Sequence, residues 1–148
     1  MLISDILKPE SVRCRITTGS KKAALEILAE LIAGTDSGLT QTEVFGCLLA
    51  REKLGSTGLG NGFALPHGRL KHIDKTIGAF IYLETAVDYD SVDGVPVDLL
   101  FALVVPEDST QEHLDILAKL AEMFSNDNTL KKIRRKRSDA DIYKILTS

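Results

Sequence analysis

One segment constrains this chain more than any other. Val97-Asp-Leu-Leu-Phe-Ala-Leu-Val-Val105 is nearly continuous apolar sequence, and Pro106 stops it. It is far short of a membrane span, and its length and β-branched content suit a strand buried on both faces. Such a strand needs cover on each side, and the rest of the chain offers helices to provide it. Ser20 through Ala33 reads as a helix with Ala24, Leu25, Ile27, Leu28, Leu31 and Ile32 on one apolar face and Gly34 at its stop. Thr40-Gln-Thr-Glu43 has capping-box spacing and opens a second amphipathic helix, with Val44, Phe45, Leu48 and Leu49, that runs to about Arg51. Ser109-Thr-Gln-Glu112 repeats that spacing before a helix whose stripe reads His113, Leu117, Leu120, Ala121 and Phe124. Two short helices are expected at Thr129–Arg135 and Ser138–Leu146, the last capped by Ser138. Thr76–Leu83 is rich in β-branched and aromatic residues and reads as a further strand, with a turn region over Tyr89–Pro96. Helices at both ends and strands between them predict one layered α/β domain over residues 1–148.

Composition narrows the function classes. For 148 residues, area scaling gives about 7,400 Å² folded against about 23,000 Å² unfolded, enough to build a core without disulfide or metal. The chain has 21 acidic and 18 basic residues, a net charge of −3 that makes no general case for nucleic acid. Met1–Lys8 carries an acid inside its apolar stretch and no small-residue cleavage site, so it is not read as a signal peptide, and no membrane insertion is expected. Cys14 and Cys47 have no metal-ligand spacing, and a reducing, cytosolic setting is the economical expectation.

Candidate chemistry concentrates in Arg51-Glu-Lys-Leu-Gly-Ser-Thr-Gly-Leu-Gly-Asn-Gly-Phe-Ala-Leu-Pro-His67-Gly-Arg69. Between Leu54 and Gly68 this is loop, or loop broken by a short strand. Glycine-rich backbone can converge its N–H groups on an anion. Pro66 and Gly68 flank His67 with a fixed backbone and no bulk, which suits an imidazole presented to a large partner. The loop follows a helix and lacks the spacing of a dinucleotide fingerprint, and it has no Gly-Lys-Ser/Thr ending for a P-loop. No His-Glu-x-x-His or other spaced metal set is present, nor a Gly-x-Ser-x-Gly elbow. Ser56 and Thr57 lack an adjacent activating base and read as phosphate hydrogen-bonders. His113 is either a core-edge histidine satisfied by a carbonyl or a site residue at a helix N-terminus. His72 reads as exposed. The basic run Lys131–Arg137 reads as a solvated helix end, with docking to an acidic partner the second reading.

Gly55-Ser-Thr-Gly-Leu-Gly-Asn-Gly-Phe-Ala-Leu-Pro-His67-Gly resembles the phosphorylation-site signature of enzyme IIA domains of the bacterial phosphotransferase system, fructose/mannitol class. Leu2–Glu10, Asp93–Pro106 and Glu112-His-Leu114 also have family counterparts in the same order, so the resemblance covers essentially the whole chain. Arg51-Glu-Lys-Leu-Gly-Ser-Thr-Gly and Gly60-Asn-Gly62 resemble the nitrogen-regulatory branch in particular. The resemblance implies an α/β sandwich with a mixed sheet between helices and a cytoplasmic phosphohistidine relay. A small histidine phosphocarrier protein (HPr-like) would donate to His67 at Nε2, with Arg51 and His113 facing the phosphoryl group and no metal, nucleotide or other cofactor. Ser56, Thr57 and the Gly60-Asn61-Gly62 amides are expected to cradle its oxygens. Regulatory target proteins are the implied downstream partners. A sugar-permease enzyme IIA that passes phosphate to a IIB domain, and a regulator that binds whatever its phosphorylation state, are the alternatives. Phe63, Leu65 and Arg69 depart from the residues common at those family positions.

Overall fold

The apolar run forms β6 (Val97–Pro106), flanked on both sides in the sheet and by helices on both faces. The computed structural model describes residues 1–35, 37–109 and 111–148. Before β6 come α1 (Ile3–Ile6), a 3-10 turn, β1 (Val12–Ile16), α2 (Lys21–Ala33), α3 (Gln41–Glu52), β2 (Gly58–Gly60), β3 (Phe63–Ala64), β4 (His67–Leu70) and β5 (Ile77–Val87). After it come α4 (Gln111–Met123), α5 (Asp127–Arg134) and α6 (Asp139–Thr147). The sheet order is β1-β5-β6-β3-β2, with β4 also paired to β6. β5 is antiparallel to β6, while β1 on β5 and β3 and β4 on β6 are parallel, so the sheet is mixed as expected.

Alternation along β6 divides the core. Leu99, Phe101 and Leu103 face a layer of α1, α4, α5 and α6, and Leu100, Ala102 and Val104 face α2 and α3. All six are fully buried, each of the larger ones contributing about 1.5–3 kcal/mol of apolar burial. Phe124 anchors the first layer: its ring stacks on Phe63 at 4.0 Å between centroids and meets Phe80 and Phe101 at 5.9 and 6.4 Å. The folded chain exposes 7440 Å², close to the size-scaling expectation.

The capping residues act as their types dictate. Ser20 Oγ accepts from Ala23 N at 3.0 Å, Ser138 Oγ from Asp141 N at 3.1 Å, and Thr40 and Glu43 close a reciprocal box. The penultimate helix starts earlier than its periodicity suggested, because Asn126 caps it at Asp127. The box expected at Ser109-Thr-Gln-Glu112 includes Thr110, which lies outside the described residues, and α4 is described from Gln111. The buried stripe of α4 is centred on Ile116 and Leu120, which leaves His113 and Leu117 at its half-buried edge. Tyr89, expected in a turn, is buried completely.

Candidate active site

β3 and β4 lie end to end on the same side of β6. Phe63 pairs with Leu99 and His67 with Leu103, so the register runs unchanged through the interruption at Leu65–Pro66. That interruption leaves the Leu65 carbonyl out of the β6 ladder, and His67 Nδ1 donates to it at 2.8 Å. A carbonyl only accepts, so this bond keeps the proton on Nδ1 and leaves Nε2 with its lone pair when the ring is neutral. Strand parity turns His67 to the face occupied by α4 and Gly68 to the face occupied by α3. A Cβ on Gly68 would collide with Cys47 Sγ and come within 3.0 Å of the Cys47 carbonyl oxygen. Gly68→Ala is therefore expected to cost about 1–3 kcal/mol by overpacking, measurable as a lower urea midpoint. Cys47→Ala in the same chain should recover only part of that loss, since the carbonyl stays.

A cavity of about 420 Å³ opens at this sheet edge, between the two helical layers. α3 brings Cys47, Ala50 and Arg51 to it, β4 brings His67 and Arg69, and α4 brings His113, Leu114 and Leu117. Among the described residues, two arginines and two histidines line it and no carboxylate does, in a chain that is acidic as a whole. Such a site favours an anion. Arg51 lends one N–H to the Gly55 carbonyl at 2.9 Å, which steadies a guanidinium that is otherwise a planar fork of donors. His113 Nδ1 is hydrogen-bonded to the Thr76 hydroxyl rather than to a backbone carbonyl. Ser109 Oγ, in the same wall, is buried with no hydrogen-bond partner among the described residues. Burial pushes the Cys47 thiol up to about 11, so it stays protonated near neutrality and does not compete as a nucleophile.

The fold thus gathers Arg51, His67 and His113, and it does not gather the expected phosphate cradle. Ser56 Oγ donates to the Tyr89 carbonyl at 2.8 Å. Thr57 is buried; its amide donates to Glu52 Oε1 at 3.1 Å and its hydroxyl to Glu52 Oε2. Gly60, Asn61 and Gly62 form the reversal between β2 and β3, with successive φ of 103°, 58° and 81° that need left-handed backbone. The Asn61 amide donates to Asp93 at 2.9 Å, which with the Val95 amide holds that carboxyl below its usual range. A Cβ on Gly62 would strike the Arg134 guanidinium, which also binds Asp98 and the Asn61 carbonyl. Asn61 and Gly62 line a different hollow, beside α5. These glycines serve the close packing of a turn rather than an anion.

Comparison with known proteins identifies the family. Residues 5–148 match the family model described as phosphoenolpyruvate-dependent sugar phosphotransferase system, EIIA 2. The chain belongs to this family. Within the EIIA 2 family it is 43% identical over 146 residues to a nitrogen regulatory protein from Klebsiella oxytoca, covering 98% of this chain and 90% of that one. The crystal structure of nitrogen regulatory protein IIA-Ntr from Neisseria meningitidis superposes with a TM-score of 0.92 at 43% identity, covering 98% and 99% of the two chains. IIA mannitol from Escherichia coli shares the fold, with a TM-score of 0.78 at 20% identity and coverage of 94% and 97%.

Two of the three departures from common EIIA residues have a structural account. Phe63 is the partner of the Phe124 stack, and Arg69 lines the cavity and donates to the Glu107 carbonyl at 3.3 Å. Leu65 supplies its carbonyl to His67, which any residue would, and its side chain is buried in the α4-side core. Sequence reasoning missed Glu52, Tyr89, Thr76 and Ser109. Glu52 is buried beside Arg51, where it pairs with Lys21 Nζ at 3.0 Å and holds Thr57, so the loop after α3 is tied to α2.

Proposed function

We propose that this EIIA-family chain is a cytoplasmic histidine phosphocarrier with a nitrogen-branch regulatory role. It takes a phosphoryl group on His67 Nε2 from an HPr-like carrier. The observation that carries the reading is the carbonyl lock on His67 Nδ1, which keeps the opposite nitrogen free at the wall of an anion-suited cavity. Phosphoryl transfer passes through a loose, in-line transition state, so the protein's work is positioning and charge stabilisation. Arg51 offers a planar fork to the equatorial oxygens, His113 a ring N–H, and Ser109 a hydroxyl. The phosphoryl group arrives activated on the donor's imidazole, and the step moves it between two nitrogens.

A regulatory output follows from the rim. Leu54 is 85% exposed and Leu114 44% exposed, and both border the cavity. A doubly charged group placed between two apolar rim residues alters any surface docked there, favouring one set of partners and repelling another.

The test is incubation with phosphoenolpyruvate, enzyme I and either the nitrogen-system or the sugar-system carrier, read by intact mass and site mapping. One phosphoryl increment on His67 is expected, faster with the nitrogen-system carrier. No increment with either carrier, or one carried by His113, overturns the reading.

A further inference from the structure

Thr76 precedes β5, on the far side of β6 from the proposed phosphoryl acceptor. The β5–β6 register pairs Ile77 with Val104, and carried one residue further it sets Thr76 beside Val105. On the other side of Val105 lies Arg69, two residues after His67. Parity puts Thr76, Val105 and His67 on the same sheet face, the one covered by α4. His113, in the first turn of α4, reaches this face above them, with Val105 and His67 sharing its cavity.

Thr76 is 2% exposed, and the only hydrogen-bond partner of its hydroxyl among the described residues is His113 Nδ1. This decides the direction of the bond. Were His113 Nδ1 the donor, the threonine O–H would be buried with no acceptor, a cost of about 1–3 kcal/mol. With the threonine donating, both groups are satisfied and the proton of a neutral His113 sits on Nε2.

We infer that Thr76 is a positioning residue for phosphoryl transfer: its hydroxyl donates to His113 Nδ1 and so holds the Nε2–H of His113 toward the phosphoryl oxygens. The inference rests on the function proposed above. It gives the two cavity histidines opposite proton patterns through opposite partners. A carbonyl, which only accepts, makes His67 Nε2 a bare nucleophile. A hydroxyl with one available acceptor makes His113 Nε2 a donor. In the step itself, the bond from His67 Nε2 to phosphorus forms as the donor's N–P bond breaks, and that bond's electron pair stays on the donor imidazole. His113 keeps its proton throughout.

The experiment combines transfer kinetics with ¹⁵N spectra of the histidine rings in the whole protein. Wild type should show His113 with an unprotonated, hydrogen-bonded Nδ1 and a protonated Nε2. Thr76→Val removes the hydroxyl and is expected to slow transfer to His67 about tenfold, while shifting the His113 Nδ1 resonance. Thr76→Ser, which keeps the hydroxyl, should stay within about twofold of wild type in rate. In a His113→Gln background, where no Nδ1 remains to receive the bond, Thr76→Val should add less than about twofold. A role confined to stability would leave the resonance and the non-additivity unmoved. If wild type takes no phosphoryl group on His67, the parent reading fails. If it does, a wild-type rate in Thr76→Val, or a protonated Nδ1 with a bare Nε2 on His113, overturns the inference alone.

Discussion

Alanine at position 67 is expected to leave a folded protein that takes up no phosphoryl group. His67 begins an edge segment, is half-buried, and touches the core chiefly through backbone pairing with Leu103. Its removal takes away the nucleophile and little of the core, so urea unfolding should shift by under about 1 kcal/mol. Arg51→Ala tests the other half of the site. The nucleophile stays, and what is lost is a preorganised donor facing charge that spreads over the transferred group. Loss of one such donor typically lowers the rate about 10²–10³-fold. Arg51→Lys should recover only part, since an ammonium is a point charge and cannot hold the Gly55 carbonyl and two phosphoryl oxygens in one plane. The check is the initial rate of mass gain from phosphorylated carrier, with folding matched by circular dichroism. A normal mass gain in His67→Ala, or a normal rate in Arg51→Ala, would remove those residues from the chemistry.

Phe124→Ala is expected to cost about 3–5 kcal/mol, the largest stability loss of any substitution considered. The ring follows the last turn of α4 and touches three others: Phe63 on β3, Phe80 on β5 and Phe101 on β6. Truncation leaves a cavity that no single neighbour can fill, because those rings are fixed by strands. Urea denaturation with an unchanged slope is the measurement, and Phe124→Leu should lose less than half as much. The variant should also transfer slowly at temperatures where it remains folded, since α4 carries His113 and β3 leads directly into His67. A loss under about 1.5 kcal/mol would mean that the layer repacks around the gap.

The elements were legible in the sequence where local chemistry decides them. Ser20, Thr40 and Ser138 cap helices within a turn of themselves, and β6 announces its burial by its unbroken apolar run. His67 was legible through the proline and glycine at its sides, and Arg51 and His113 through resemblance. The role of Gly60-Asn61-Gly62 was not legible because an anion-binding loop and a turn packed under an arginine use the same residues. Arg134, which tells them apart, lies over seventy positions away on α5. Glu52, Thr76 and Tyr89 escaped notice for a related reason. Each owes its role at least in part to a partner distant in sequence: Lys21 for Glu52, His113 for Thr76 and Thr57 for Tyr89.

The collinear pair β3 and β4 has a consequence for how this chain can vary. Because both segments keep step with one neighbour, the spacing from Phe63 to His67 works like the teeth of a key. Deleting or inserting a single position there would rotate the imidazole through the sheet to the α3 layer, with its reactive nitrogen stranded among aliphatic groups. Length changes on the far side of Gly58 carry no such penalty. Loop-length diversity among working versions of this chain should therefore stop short of that four-step interval.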